Sequence, residues 1–336
     1  MSSAFAGPRV LAIIPHFSAQ KELFEKVVAA VQGQLSVAPV EIVIVTNNPR
    51  HIPEILNTPN TGLRQIRAPF NVGYAGALEA ARKANDCDFL WVVQEDTIPE
   101  PDCLSELLSE IHSQTGELTV AMVSPFHITG EGMRKNLFRG QIWNLDEGTK
   151  VGAIGGEPPT ESVVVSGWSM QEASFLYLSG ALMRATALRE IGGFDVSFWP
   201  KGFVDADTSF RLLRAGYEIV LSKGARISHL VRQGSSEHPA HWESLAYFGN
   251  QQRLFSKYRA LGHSPSADDL GFDAAQALAL ASGLADFIDA FAEQRRAEKD
   301  AETPASEEKP PTPPRGKMPD LVRRIGRRVK RMLSST

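Results

Sequence analysis

The stretch Phe89-Leu-Trp-Val-Val-Gln-Glu-Asp96 joins five apolar residues to an abrupt acidic step. A short run apolar on every position suits a strand buried on both faces. Three neighbours repeat the theme: Val10-Leu-Ala-Ile-Ile14, Val40-Glu-Ile-Val-Ile-Val45 and Leu118-Thr-Val-Ala-Met-Val123. Helical spacing separates the first two, and Pro101 to Ser113 reads as a helix. Apolar strands alternating with helices predict an α/β fold, a Rossmann-like and mainly parallel sheet flanked by helices. Ligands of such sheets gather beyond the carboxyl ends of the strands. The residues after each strand therefore carry the functional question.

At 336 residues and 43% hydrophobic content, the chain can bury a large core, in one domain or two. Its formal net charge of -4 argues against nucleic-acid binding by the whole protein. The charge is uneven: residues 317–336 carry seven cations against one carboxylate, a net of +6 that leaves -10 elsewhere. A basic tail with its own partner is expected. The two cysteines, Cys87 and Cys103, have no Cys/His pattern around them and suit a reducing cytoplasm. The N-terminus lacks a signal-peptide pattern, and no apolar stretch reaches the roughly 20 residues that span a bilayer. The expectation is a soluble cytoplasmic protein, attached at most to a membrane surface.

A less regular, Gly-rich and polar segment is expected from about Pro125 to Ser174. Structure resumes at Phe175-Leu-Tyr-Leu-Ser-Gly-Ala-Leu-Met183, and a helix starts near Asp205 and stops at Gly216. Helices are also read over 241–258 and 268–292, before a charged, Pro-rich linker centred on Pro310-Pro-Thr-Pro-Pro314. The organisation expected is a main domain over 1–262, a helical extension over 263–297, a linker over 298–316 and a basic helix over 317–336.

At the strand ends, Pro15-His16-Phe17 is read as a turn after the first strand, and Thr46-Asn47-Asn48-Pro49 follows the second. Short polar side chains there can bond a base or ribose, or simply form the turn. In Phe70-Asn-Val-Gly-Tyr-Ala-Gly-Ala-Leu-Glu-Ala-Ala81, Gly73 and Gly76 open an Ala-rich helix. Small residues there let backbone amides approach phosphate, or permit a tight turn into a packed helix. Gln94-Glu95-Asp96 offers oxygen ligands for a hard cation such as Mg2+ or Mn2+, unless it is a solvated turn. Val204-Asp-Ala-Asp-Thr-Ser-Phe-Arg211 places two carboxylates at the start of a helix, where either could act as a cap. Asp207 and Arg211 are spaced for an ion pair. A histidine, His229, follows the next apolar run.

The order of these pieces resembles the glycosyltransferase family 2 enzymes of GT-A fold, over roughly Val10 to Tyr258. Thr46-Asn-Asn48 stands where the family has a nucleotide-contacting Asp-Asn or Asp-Gly-Ser turn. Asn71-Val-Gly-Tyr-Ala-Gly76 is similar to its Asn-x-Gly element, and Gln94-Glu-Asp96 to its Asp-x-Asp metal motif. Ser179-Gly-Ala-Leu-Met-Arg184 and Ile191-Gly-Gly-Phe-Asp195 resemble its acceptor-side segment. Val204 to Arg211 resembles Glu-Asp-x-Asp-x-x-x-Arg. The resemblance implies a nucleotide-sugar donor (UDP or dTDP), a glycan or lipid-linked glycan acceptor and a divalent metal. It implies Asp205 as catalytic base, Asp96 and His229 as metal ligands, and Pro15, Asn47, Asn48, Asn71, Gly73, Gly76 and Glu95 on the donor side. Trp199 and Asp207 fall on the acceptor side. Trp199 and the position of His229 look most like bacterial rhamnosyl- and galactofuranosyltransferases.

Three departures stand out: Thr46 and Gln94 replace acidic residues near the donor, and Val204 replaces a glutamate. An inactive donor-binding or scaffold relative is therefore a rival reading. A nucleotidyltransferase would want a basic Gly-rich loop near the first strand, and Ile14-Pro-His-Phe-Ser18 has none.

In the tail, Leu321, Val322, Ile325, Val329 and Leu333 fall near one helical face with arginines opposite. Such a helix is expected to lie in an anionic membrane interface. A solvated tail is the alternative.

Overall fold

The computed structural model describes residues 7–17, 21–48, 53–57, 62–68, 70–112, 118–128, 140–155, 159–230 and 240–259, with 289 and 293 beyond them. In chain order the elements are β1 (Val10–His16), α1 (Lys21–Gln32), β2 (Val40–Thr46), β3 (Leu63–Arg67), α2 (Gly73–Ala84) and β4 (Phe89–Val92). Then come β5 (Thr97–Pro99), α3 (Cys103–His112), β6 (Val120–Ile128), β7 (Gly140–Asn144), β8 (Thr149–Ile154) and β9 (Val163–Val165). The last are β10 (Ala173–Leu176), β11 (Leu182–Arg184), α4 (Ala185–Glu190), α5 (Val204–Arg214), β12 (Glu218–His229) and α6 (Ala240–Arg259). The expected helix over 268–292, the linker, the basic tail and the boundaries between them lie outside the described residues.

The main sheet runs β3-β2-β1-β4-β11-β6-β12-β5, with β9 added on β12. β3, β2, β1 and β4 are parallel, β11 runs antiparallel between β4 and β6, and β12 returns parallel to β6. Both faces are covered, and successive residues of β1 show it: Leu11 and Ile13 join one core, Val10, Ala12 and Ile14 the other. α1 and α3 cover the second face through residues such as Phe24, Val28, Leu104 and Leu107. The alanines of α2 let that helix lie close on the first. Because α1 and α2 cover opposite faces, the winding reverses between β1 and β4, and a crevice opens beyond their ends.

The mainly parallel α/β sheet agrees with the reading from sequence, and three local expectations change. Pro15 does not turn the chain; β1 continues to His16, with Pro15 opposite Val45. Pairing of β1 with β4 stops at Ile13, so the missing proline donor leaves no β4 partner waiting. β6 runs through Pro125 to Ile128, and the supposedly irregular middle contains an antiparallel sheet in the order β10-β7-β8. The edge strand β3 escaped notice because Ile66 is its one buried residue.

Gly73 is the backbone position on which this arrangement leans. Its φ is +78, and a Cβ there would stand 2.8 Å from Trp199 Cδ1 and 3.0 Å from the Pro200 carbonyl oxygen. The Tyr74 amide donates to that same carbonyl at 2.7 Å. A Gly73→Ala protein should lose about 2 kcal/mol of stability, from left-handed strain and displaced backbone. Urea unfolding measures it, and an unchanged midpoint would contradict this packing.

Candidate active site

β5 is short, but its register decides the chemistry. Thr97 stands opposite His229, and the Leu230 amide donates to the Asp96 carbonyl at 2.8 Å. The Asp96 carboxylate thereby comes within 3.4 Å of His229 Nε2, and both side chains remain partly open to solvent. On its other side, His229 Nδ1 faces Nδ1 of the buried His127 at 3.4 Å. Two facing Nδ1 atoms bond only if one is protonated and the other is not, so His127 influences which nitrogen of His229 holds its proton. Adjacent ligands of an octahedral Mg2+ or Mn2+, each about 2.1 Å from the ion, stand about 3 Å apart. Asp96 and His229 have that spacing. Among the described residues no group of three or more His, Cys, Asp or Glu is arranged to hold a metal. The pair could supply only part of a coordination sphere.

Asp205 lies in the first turn of α5, behind Phe203, whose φ of 63 is unusual for a bulky residue. The Leu178 amide donates to Asp205 Oδ1 at 3.0 Å. Burial pushes the Asp205 carboxyl up to about 6, against the pull of the Leu178 amide, its own amide and the His229 charge. Tyr74 feels the charge of both carboxylates. Burial raises its phenol well above the ordinary value, and the carboxylates of Asp205 and Asp96 act in the same direction. The Gln94 amide bears on the phenol, yet its buried oxygen completes no well-formed hydrogen bond among the described residues. Leu178, whose amide holds Asp205, is followed by Ser179, whose hydroxyl lies 2.8 Å from that of Thr97 beside Asp96, so Asp205 and the Asp96–His229 pair border one cleft.

Several other expected donor-side residues are engaged in holding the cleft together. Glu95 Oε2 contacts His16 Nδ1 at 2.8 Å and accepts from the Phe17 amide at 3.0 Å, so it braces the end of β1. Asn71 Oδ1 accepts from the Gly73 amide at 2.9 Å, and its carbonyl accepts from Trp199 Nε1 at 3.0 Å. The Gly73 and Tyr74 amides, expected to approach phosphate, are taken by Asn71 and Pro200. Gly73 therefore serves a tight turn, and Gly76 is buried in the first turn of α2. Asn47 and Asn48 are buried beyond β2; Asn47 donates to the Gly73 carbonyl at 3.1 Å, while its Oδ1 has no partner among the described residues. Pro15 is inside β1. Trp199 clamps residues 71–73, away from the acceptor role expected of it.

Asp207 is a correction of the same kind. It is 0% exposed, and it accepts from Arg211 Nε at 2.8 Å, Lys257 Nζ at 2.5 Å and the Tyr258 hydroxyl at 2.9 Å. Its structural share of the expected dual role fits this geometry; contact with an acceptor does not. His127, Tyr74, Tyr177 and Tyr247 gather near the site without having been singled out, since each arrives by a long-range contact.

The two carboxylates should answer oppositely to amide substitution. The Asp205 carboxyl titrates near 6 folded against 3.8 ordinarily, so the folded form holds its proton more tightly. Its penalty grows as pH rises through that window and is complete above it. Asp205→Asn should raise stability, and with it Tm, at pH 7.5 by on the order of 3 kcal/mol, with a smaller gain near pH 4. Asp207→Asn should cost about 3 kcal/mol by leaving cations uncompensated. Thermal melts at both pH values test this; destabilisation by Asp205→Asn at pH 7.5 would refute it.

Residues 11–192 match the family described as glycosyl transferase family 2, a span that includes Asp96 and ends before Asp205 and His229. No curated protein matches the sequence. Among solved structures, GalNAc-T7 with UDP, GalNAc and Mn2+ aligns at a TM-score of 0.52 and 13% identity, covering 74% of this chain. This chain spans only 48% of that protein. Pyrobaculum calidifontis mannosyltransferase PcManGT, in complex with GDP-Man and Mn2+, aligns at 0.48 and 15% identity, over 89% of this chain and 76% of that one. Residues 1-349 of S. aureus TarS align at 0.47 and 12% identity, over 88% and 75%. The family match covers more than half of the sequence, and the chain belongs to glycosyl transferase family 2.

Proposed function

We propose that this protein moves a sugar from a nucleotide-sugar donor, UDP- or dTDP-linked, to a hydroxyl of a glycan or lipid-linked glycan with inversion at the anomeric carbon. The observation that carries this reading is the convergence of Asp205, with its carboxyl raised to about 6, on the cleft where Asp96 and His229 stand 3.4 Å apart. Asp205 takes the acceptor proton as the acceptor oxygen bonds to the anomeric carbon. The bond from that carbon to the diphosphate breaks, and its electron pair leaves with the diphosphate. A carboxylate with a raised pKa is a stronger base than an ordinary one and is still ionised above pH 7.

Asp96 and His229 would hold Mg2+ or Mn2+, which supplies positive charge for the departing diphosphate. The presence of UDP and Mn2+ with GalNAc-T7 supports a donor and metal of this class. Tyr74, a phenol and so neutral at pH 7, offers a donor under the influence of the two carboxylates, which with burial push its pKa further up. The spacing of His229 from Asp205, with Trp199 just ahead of the base, resembles bacterial rhamnosyl- and galactofuranosyltransferases and favours a donor of that type. The basic segment 317–336 would bring the enzyme to an anionic cytoplasmic membrane surface, where lipid-linked acceptors lie. Among the described residues no helix is long and apolar enough to cross a membrane.

Donor hydrolysis over a panel of UDP-, dTDP- and GDP-sugars with Mg2+ or Mn2+ tests the reaction. One donor should be cleaved, and Asp205→Asn should slow it about 100- to 10,000-fold. For the natural protein kcat/KM should rise with pH through about 6, since the base works deprotonated. Donor binding with no hydrolysis or transfer would favour an inactive relative instead. Deleting residues 317–336 should move the protein from membrane to soluble fractions; unchanged partitioning would remove the membrane from this reading.

A further inference from the structure

An acceptor must reach Asp205 from the side away from the Asp96–His229 pair, because the attacking oxygen and the leaving diphosphate lie on opposite sides of the anomeric carbon. The aromatic side chains order that cleft. Tyr74 is influenced by Asp205, Gln94 and Asp96 together. Gln141 links Tyr177 and Tyr247 in space: it donates to the Tyr177 hydroxyl and accepts from Trp143 Nε1, whose ring meets the Phe203 ring beneath Tyr247. Tyr177 precedes Leu178, whose amide donates to Asp205 Oδ1 at 3.0 Å, and Tyr247 packs on Phe203, two residues before Asp205, so both flank the base.

Tyr247, on α6, is a large hydrophobic side chain with 49% of its surface exposed. Its ring is held from beneath: the Phe203 ring lies 4.6 Å away, centroid to centroid, and Phe203 meets Trp143, which meets Phe255. Gly202 lets the ring approach the backbone, since a Cβ there would stand 3.3 Å from Tyr247 Cδ2. The exposed ring is thus the outer end of an aromatic stack that runs into the core through Phe203, two residues before the base. Tyr177 adds a polar group: Gln141 Nε2 donates to its hydroxyl at 2.8 Å, leaving the phenol hydrogen as a donor.

We propose that Tyr247 and Tyr177 form the acceptor subsite, with a saccharide ring lying on the exposed face of Tyr247 and one of its oxygens bonded by the Tyr177 hydroxyl. This rests on the transferase reading above. A flat apolar face beside phenol, amide and carboxylate groups suits a sugar, which pairs an apolar C–H face with a hydroxyl rim. The ring fills the role that the sequence suggested for Trp199, whose indole is committed to residues 71–73.

The test uses the full chain with the donor it hydrolyses and four acceptor probes, the octyl glycosides of glucose, galactose, N-acetylglucosamine and rhamnose. Chromatography gives the ratio of sugar transferred to sugar hydrolysed. Tyr247→Ala should lower that ratio about tenfold or more, and Tyr247→Phe should keep it near the natural value, because the ring face is retained. A ratio within twofold of natural in Tyr247→Ala overturns the subsite. A natural protein that hydrolyses a donor yet glycosylates none of the four probes overturns the saccharide assignment and leaves the transferase reading standing. If the natural protein hydrolyses no donor, the transferase reading fails and the subsite falls with it.

Discussion

The register of β5 on β12 positions the chemistry of this chain. Three residue pairs, closed by the Leu230 amide on the Asp96 carbonyl, bring an acidic turn from the first half of the chain to an imidazole from the second. In a strand a slip of one position turns every side chain to the opposite face. Such a slip would remove His229 from Asp96 without altering the composition of either segment. Glu95 and the Thr97–Ser179 hydroxyl contact of 2.8 Å hold the approaches to β5 on either side.

Around that junction, similar groups do different work because their environments differ. Asp205 and Asp207 are one residue apart on α5, yet one turns to the cleft with a carboxyl lifted by burial and the other is sealed against two cations and a phenol. The sealed carboxylate anchors α5 to α6, and through Arg211 to the carbonyls of Ile191 and Gly193. That anchorage lets Phe203 keep its left-handed conformation and present Asp205. A carboxyl in an unfavourable environment is held by a neighbour whose environment is fully compensated.

Much of the fold could be read from the sequence because its central strands are apolar on every position, a pattern with few alternatives. Edge strand β3 and the β10-β7-β8 sheet could not, since their residues are half-buried and mixed in character. Within the site, the order of the acidic turn and the later histidine anticipated that Asp96 and His229 come together. Asn71, Glu95 and Trp199 were assigned to ligands because their chemistry allows it, but each found a nearer partner in the protein itself. A short polar side chain beside a turn bonds the closest amide, and sequence does not say which amide that will be. Tyr247 and His127 carried no local signal at all; their placement arises from what folds against them.

The central claim is that Asp96 and His229 share one cation on one side of a bound donor while Asp205 faces the sugar from the other. Anomalous diffraction from crystals grown with UDP and Mn2+ measures this directly. The account requires a manganese peak about 2.1 Å from both Asp96 and His229, with Asp205 across the cleft and free of the metal. A peak bound to Asp205, or to neither Asp96 nor His229, would contradict it.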